Sequence, residues 1–378
     1  MASSRGSQPW EYTRYLVEDI GARGSGTEEE KQAAGYVKRV LNEFDMVIEE
    51  QPFRSPASAW LPFAAGLGMA ALASFIAPVF IPASSLLAML LLVACIGLSV
   101  REGLLRDTIW RRILPQVDSQ NVIGRLRPNE EAMQTIVLVA HLDSHRTPYF
   151  HRSRRRQSWF GTMIIIAEIG ALVNALLYFA LSISGEMWLW WISLPFALLH
   201  LIMTVVCAAV DRTPFSPGAN DNAAAVGVAL QVASELSKRR LTNTDILFLF
   251  SGCEEVGAYG MREFLQAYGR GLEGARFIDL EMVGQGIPAV VIKEGLIRRV
   301  DYDPVLIEEA AKAATIVWQE AYLKKANAYG ESVVTQRAGF ASVTLNTVLP
   351  ETGKTALWHR MDDDMSAISA ERLDHVVT

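Results

Sequence analysis

Four apolar stretches constrain this chain before anything else does. Trp60 to Phe80 and Ser84 to Val100 carry no charged residue, and Phe160 to Ile183 and Trp188 to Val210 form a second pair. Crossing a bilayer core of roughly 30 Å takes about 20 apolar residues in a helix, and the stretch at 84–100 is near the lower limit. Only Ile81–Ala83 and Ser184–Met187 separate the members of each pair. This spacing predicts two transmembrane hairpins, hence an integral, multi-pass membrane protein with four spans. Trp159, Trp188, Trp190 and Trp191 fall near span ends, where aromatic belts form. The hydrophobic share of 51% follows from these stretches.

The remaining sequence alternates strand and helix patterns. Tyr12 to Ile20 and Glu28 to Phe44 read as helices, the second opened by the capping-box pair Thr27 and Glu30. Strands are expected at Met46–Phe53, Asn121–Leu126, Thr135–Ala140, Asp245–Phe250, Arg276–Met282, Ala289–Lys293 and Ser342–Asn346. Helices are expected at Ala223–Lys238, Tyr259–Ala267 and Pro304–Lys325. The pattern predicts one α/β sheet domain in three pieces, 1–58, 101–158 and 211–378, interrupted by hairpins at 59–100 and 159–210.

Arginine placement predicts sidedness. Arg101, Arg106, Arg111 and Arg112 follow the first hairpin, and Arg146, Arg152, Arg154, Arg155 and Arg156 precede the second, whereas the tight turns hold no Lys or Arg. The positive-inside bias puts the α/β domain in the cytoplasm. A net charge of −6 gives no sign of a nucleic acid partner, and three cysteines make no disulfide framework. The N-terminus lacks the apolar core of a signal peptide, so no cleavage is expected. Glu168 and His200 fall at similar depths in the second hairpin, roughly 12–15 Å from the α/β side at 1.5 Å per residue; this leaves a contact between them open, with a structural role favoured over a catalytic one.

Chemistry concentrates at strand ends. The apolar run Asp245–Phe250 ends at Ser251-Gly252 and delivers Glu254 and Glu255. Ligands bind just beyond the carboxyl ends of such strands. His141, Asp221, Glu281 and His359 occupy comparable places or glycine-bounded turns. Mixed histidine and carboxylate ligands suit Zn²⁺. Five ligands and one free carboxylate are what a two-metal hydrolytic site requires. His145, His151 and Tyr329 are further candidates for lining the site, with packing the favoured reading of each. Asp362–Asp364 reads mainly as a solvated stretch or helix start, with one aspartate available to support His359.

Several segments together resemble peptidase family M28, whose members include zinc aminopeptidases and some carboxypeptidases. They are AHLDS at 140–144, GANDNAAAVGVALQVASEL at 218–236, FSGCEEVGAYG at 250–260, IDLEMVG at 278–284 and the late His359, with ARGSGTEEE at 22–30 and NVIGRL at 121–126. The resemblance spans nearly all the α/β sequence and none of the apolar stretches. It implies a mixed β-sheet flanked by helices and two Zn²⁺ per chain. By position, His141 would bind one zinc with Asp143 orienting it, Asp221 would bridge, Glu281 would complete the first site, and Glu255 and His359 would hold the second. Glu254 would be the general base. Glu281 stands where the family usually has Asp, which lengthens the arm. A single-zinc site, as in the glutaminyl cyclases that share this fold, stays open, although the histidine-aspartate motif favours two metals.

The implied activity is peptide hydrolysis, most plainly as an aminopeptidase; carboxypeptidase action and the oligomeric state stay open. The second hairpin falls between His141 and Asp221, which tethers the site to the bilayer and points to a membrane-associated peptide substrate, against a plain anchor. A non-catalytic receptor or scaffold relative is the competing class, disfavoured by the complete ligand set. Four short-looped spans are too little for a transporter.

Overall fold

Strands form where β-branched and aromatic residues alternate between two covered faces. This computed structural model describes residues 7–319, 321–355 and 357–378. Six residues of the N-terminal stretch, Glu320 within the helix expected over 304–325, and Ala356 lie outside the described residues. The strands are β1 (Val47–Pro56), β2 (Gln116–Leu126), β3 (Gln134–His141), β4 (Thr244–Ser251), β5 (Arg276–Leu280), β6 (Ile287–Glu294), β7 (Val300–Asp301), β8 (Tyr322–Ala326) and β9 (Ala341–Val348). They join one sheet in the order β1-β2-β4-β3-β5-β9-β6-β7, with β8 also paired to β6. Pairing is parallel across β4-β3-β5-β9 and antiparallel at β1-β2, β2-β4, β9-β6 and β6-β7. The mixed α/β sheet expected from the resemblance is present.

Every residue of β4 is buried, so this strand is the centre of the domain. Ile246, Phe248 and Phe250 face a cluster that includes the helices Glu28–Leu41 and Ala224–Lys238. Leu247 and Leu249 face the opposite cluster, which includes Met261 and Phe264 of the helix Tyr259–Tyr268. This period-two division builds helices onto both faces of the sheet. It also fixes the register in which β3 and β4 end together, with His141 opposite Ser251.

The helix expected over Pro304–Lys325 stops at Trp318. Gln319 turns left-handed at φ 61° and its N–H closes the last turn on Thr315. Tyr322–Ala326 then pairs in parallel with β6 as β8. The residues there are good helix formers, but the open edge of β6 offers backbone partners that local propensity does not.

Residues 58–115 and 147–214 form a second unit, distinct from that of 1–57, 116–146 and 215–378. Its helices Ala83–Glu102, Arg154–Ser184 and Trp188–Val210 are long and apolar enough to cross a membrane. The first expected span is shorter. It is a 16-residue helix, Leu61–Ile76, about 24 Å long at 1.5 Å per residue. Ala77 keeps helical backbone, but Pro78 has no N–H to continue the hydrogen-bond ladder, so the helix ends before Phe80. Three of the four expected spans therefore have the length of one.

The polarity of this unit is inverted. Along Arg154–Ser184, Ile165, Ile169, Leu172, Leu176, Phe179 and Ile183 are exposed. The opposite face, with Ala167, Gly170, Ala171, Asn174, Ala175 and Tyr178, is buried. Small residues let the helices approach closely, and the enclosed polar groups bond across them. Asn174 donates to the carbonyl of Ser193, and Tyr178 pairs with the Ser193 hydroxyl at 2.8 Å.

The Glu168–His200 contact that the depth match left open is not made. His200 Nε2 lies 2.8 Å from the carbonyl oxygen of Ala167, whereas Glu168 is hydrogen-bonded to Ser99. The depth match holds, but successive helix residues point about 100° apart. Ala167 therefore faces the helix Trp188–Val210 and Glu168 faces Ala83–Glu102.

One buried acid in the α/β unit gives a stability test. Glu294, at the end of β6, accepts a bond from the Tyr302 hydroxyl, and burial raises its pKa to about 7. The folded-state pKa lies above the unfolded one, so its contribution is present below about pH 4.5 and is lost as pH rises through about 7. The loss amounts to about 3 kcal/mol. In metal-free protein, Glu294→Gln should flatten the fall in thermal midpoint between pH 5 and pH 8; an unchanged pH profile contradicts this account.

Candidate metal centre

His141 is the last residue of β3, and the chain beyond it is held to the end of β4 by Leu142 N–H donating to the Ser251 carbonyl at 2.8 Å. Asp143 follows and is completely buried. Its carboxylate accepts from the Ser25 hydroxyl at 2.6 Å and from the N–H groups of Glu254 at 3.0 Å and Glu255 at 3.1 Å. His141 Nδ1 lies 3.0 Å from the Asp143 carbonyl and 3.4 Å from its carboxylate. One side chain thus orients the histidine at one strand end and the paired glutamates at the next. Burial opposes ionisation of Asp143, but the contact with His141 and the donors around it outweigh burial and hold its carboxyl below the usual range.

Glu30 braces the same turn. It accepts from the N–H of Gly26 and of Cys253, both at 2.8 Å, and from the Ser119 hydroxyl at 2.9 Å. Gly252 must be glycine here, since a Cβ would lie 2.3 Å from Ser119 Oγ.

Asp221 arrives from the turn before the helix Ala224–Lys238. Asp363 fixes this turn by accepting the N–H of Asn220 at 2.8 Å and of Asp221 at 3.1 Å. Asn222 donates to the Leu280 carbonyl at 2.8 Å and accepts the Met282 N–H at 3.0 Å, gripping the backbone on both sides of Glu281.

These supports bring the expected ligands together. His141 Nε2 is 3.4 Å from Asp221 Oδ1 and 3.4 Å from Glu281 Oε2. His359 Nε2 is 3.2 Å from Glu255 Oε2 and 3.5 Å from Asp221 Oδ2. The two oxygens of Asp221 therefore face two separate groups. Donors about 2.1 Å from a shared tetrahedral ion stand about 3.4 Å from each other, so both spacings fit a cation of zinc size. His141 Nε2 and Glu255 Oε1 are buried without a hydrogen-bond partner among the described residues, as donors to a metal would be.

The charges agree. Burial, reinforced by neighbouring carboxylates, pushes the carboxyls of Glu254 and Glu255 well above their usual range, and Glu281 is raised as well. Burial disfavours a charged His141, yet Glu281, Asp143 and Asp221 push its pKa well above normal. A proton on His141 answers the need for positive charge that divalent ions would answer better.

The sequence did not single out Arg23, Asn222 or Asp363, and it marked Glu30 only as a helix-capping residue. Arg23 is fully buried. Its guanidinium donates to the carbonyls of Leu16, Gly21, Leu142, Pro217 and Gly218, so one side chain ties three distant segments. Asp363 supports Asp221, not His359 as expected; Asp362 pairs with Arg360, and Asp364 caps Ser366. His145 is brought in: its ring stacks on His359 at 3.7 Å and 10°, and it groups with Glu255 and His359. Burial lowers the His145 pKa to about 4, which keeps the ring neutral. His151 belongs to the apolar-helix unit. Tyr329 packs beside Val291, Tyr302 and Val333, with Arg337 over its ring.

Removing the Arg23 fork should strand buried carbonyls. Arg23→Ala is expected to cost about 3 kcal/mol, read as a thermal midpoint lower by several degrees. Arg23→Lys should recover little, because an ammonium cannot reach three segments at once.

Residues 202–378 match the model of Peptidase family M28. The chain is 28% identical over 178 residues to Aminopeptidase YwaD of Bacillus subtilis (strain 168), a match covering 46% of this chain and 38% of that protein. The chain thus spans well under half the length of this curated relative. Among solved structures, it is similar to BSAP, a zinc aminopeptidase from Bacillus subtilis, with a TM-score of 0.58 at 16% identity over 98% of this chain and 91% of that one. It is also similar to the aminopeptidase from Aneurinibacillus sp. strain AM-1, at 0.57, 14%, 98% and 90%. The glutaminyl cyclase of Bacteroides thetaiotaomicron gives 0.57, 16%, 98% and 94%. At these identities the structural likeness is one of fold. Residues 202–378, with the motifs at 218–284, are thus similar to Peptidase family M28, and the fold is similar to that of zinc aminopeptidases and a glutaminyl cyclase.

Proposed function

We propose that this chain is a membrane-anchored di-zinc exopeptidase that removes residues from the free N-terminus of peptides. The observation that carries this reading is Asp221, whose two carboxylate oxygens face His141 and His359 separately. His141, Asp221 and Glu281 would hold one ion, and Glu255, His359 and Asp221 the other. When bound, such ions supply Lewis acidity and lower the pKa of water.

The protein's own groups do the rest. Glu254 lies outside both ligand groups and has a carboxyl raised by burial, which suits a group that takes a proton from water and passes it to the leaving amine. Asp143 holds the Glu254 N–H, and so fixes where that carboxylate starts from. The charges acting on Glu254 come chiefly from His141, Glu281, Glu331 and Asp143. A site so rich in carboxylates suits a substrate ammonium better than a terminal carboxylate. A second reading, a single-zinc cyclase, draws on the likeness to glutaminyl cyclase; the bridging position of Asp221 favours two ions. The complete ligand set argues against a non-catalytic scaffold.

Purified protein in detergent should contain about two zinc ions per chain and cleave only peptides with a free N-terminus. Glu254→Gln should lower kcat by at least about 100-fold and leave zinc content unchanged. One zinc with cyclisation of N-terminal glutamine would favour the second reading. Bound zinc without turnover on any peptide would count against the proposal.

The exposed Arg101, Arg106, Arg112, Arg152, Arg154, Arg155 and Arg156 support a cytoplasmic α/β unit. Arg111 is withdrawn from this set by a 2.8 Å ion pair with Glu102. The three native cysteines are buried, so introduced ones can report. On intact cells an impermeant maleimide should label Glu186→Cys, in the tight turn, and spare Glu43→Cys until permeabilisation. The reverse pattern would invert the topology. A membrane-associated peptide substrate fits the second insert, which falls between the ligands His141 and Asp221 in chain order. Equal turnover of soluble and bilayer-borne forms of one peptide would leave the insert as an anchor.

A further inference from the structure

We propose that His145 is a positioning residue whose ring, stacked face to face on His359, sets the angle at which His359 meets its metal. The proposal rests on the metal centre inferred above. The other ligands are aimed by their elements. His141 ends a strand and is held by Asp143, the Glu255 N–H is fixed by Asp143, and the backbone around Glu281 is gripped by Asn222. His359 has no strand behind it. It sits in the loop after β9, where Leu357 and His359 both take left-handed backbone, at φ 58° and 55°. Its ring direction therefore depends on what packs against the ring. Trp358 touches it at 4.4 Å and 41°, and His145 covers it at 3.7 Å and 10°.

The same numbers exclude the simpler idea that His145 is another ligand of that ion. A bound ion lies near the plane of its imidazole, about 2.0–2.1 Å from nitrogen. Two parallel rings 3.7 Å apart have no common point that meets this condition for both. His145 is itself held firmly. Its Nδ1–H donates to the carbonyl of Arg146, and its own carbonyl accepts the Ser216 N–H at 2.8 Å. Arg146 and Phe215 then pair as an isolated bridge, with the Arg146 guanidinium 4.0 Å above the Phe215 ring. The ring that aims His359 is thus anchored to the two chain segments that lead into and out of the second apolar insert.

The test compares His145→Ala, which removes the ring, with His145→Phe, which keeps a stacking ring but no nitrogen. Metal content after dialysis against a zinc buffer, and the visible spectrum of cobalt-substituted protein, are read alongside peptide turnover. Expected for His145→Ala is a 10–100-fold weaker affinity for one ion, retention of the other, and an altered cobalt spectrum. Retention of that ion also reports that the variant has folded. His145→Phe should keep both ions and a cobalt spectrum close to wild type. If Phe loses the ion as Ala does, a nitrogen of His145 is needed and the stacking role is overturned. If neither variant changes metal content or spectrum, the stack is idle and the proposal falls. A wild-type protein that binds no metal overturns the metal centre itself, and this proposal with it.

Discussion

The site depends on one buried carboxylate. Asp143 holds His141 at the end of β3 and the Glu254-Glu255 backbone at the end of β4, and so converts the register of two strands into the spacing of three functional groups. A fully buried carboxylate is costly unless its lone pairs are filled. Here they are filled by the very groups that must be placed, so the cost of burial enforces the geometry. Arg23 does the complementary work with positive charge, spending its donors on carbonyls of the turns that flank Asp143 and Asp221.

Much of this was legible in the residues. His141, Asp221, Glu254, Glu255, Glu281 and His359 stand out because chemically active side chains follow apolar strands or occupy glycine-bounded turns. Their supports do not stand out. Asp363 lies in an acidic run that reads as solvated, and Asn222 and Arg23 look like ordinary polar residues. Each acts through hydrogen bonds to backbone far away in sequence, as Arg23 does in reaching Gly218. Nothing local marks such a partner. The helix that ends at Trp318 failed for a related reason: the edge of β6 was invisible from the helix-forming residues after it. Glu168 and His200 were matched correctly for depth and wrongly for face, because depth counts residues whereas facing depends on which neighbour each side of the helix meets.

The apolar-helix unit obeys the opposite packing rule from the α/β unit. In the α/β unit Phe, Leu and Val fill the core. Among the apolar helices many large side chains point outward, and alanine, glycine and a few hydrogen-bonding groups lie inside beside Leu92, Tyr178 and Leu181. Where the surroundings are as apolar as leucine, burying leucine gains little, and close helix contact gains more. Composition alone reported the abundance of apolar residues; only the periodicity of what is covered reports the solvent.

The position of the second insert also orders events in time. A chain made from its N-terminus presents His141 first, and Asp221 follows only 80 residues later, after both long helices of the insert. At 5–20 residues per second that interval is roughly 4–16 s. Glu255, Glu281 and His359 come later still. During this time a lone histidine and the Asp143 carboxylate wait without the partners that complete a metal site. On the proposed ligand set, a metal site could be complete only after the apolar helices of the insert have been synthesised. If the proposed function holds, hydrolytic competence would be a late product of synthesis, since its groups are complete only after both helices of the insert have been made.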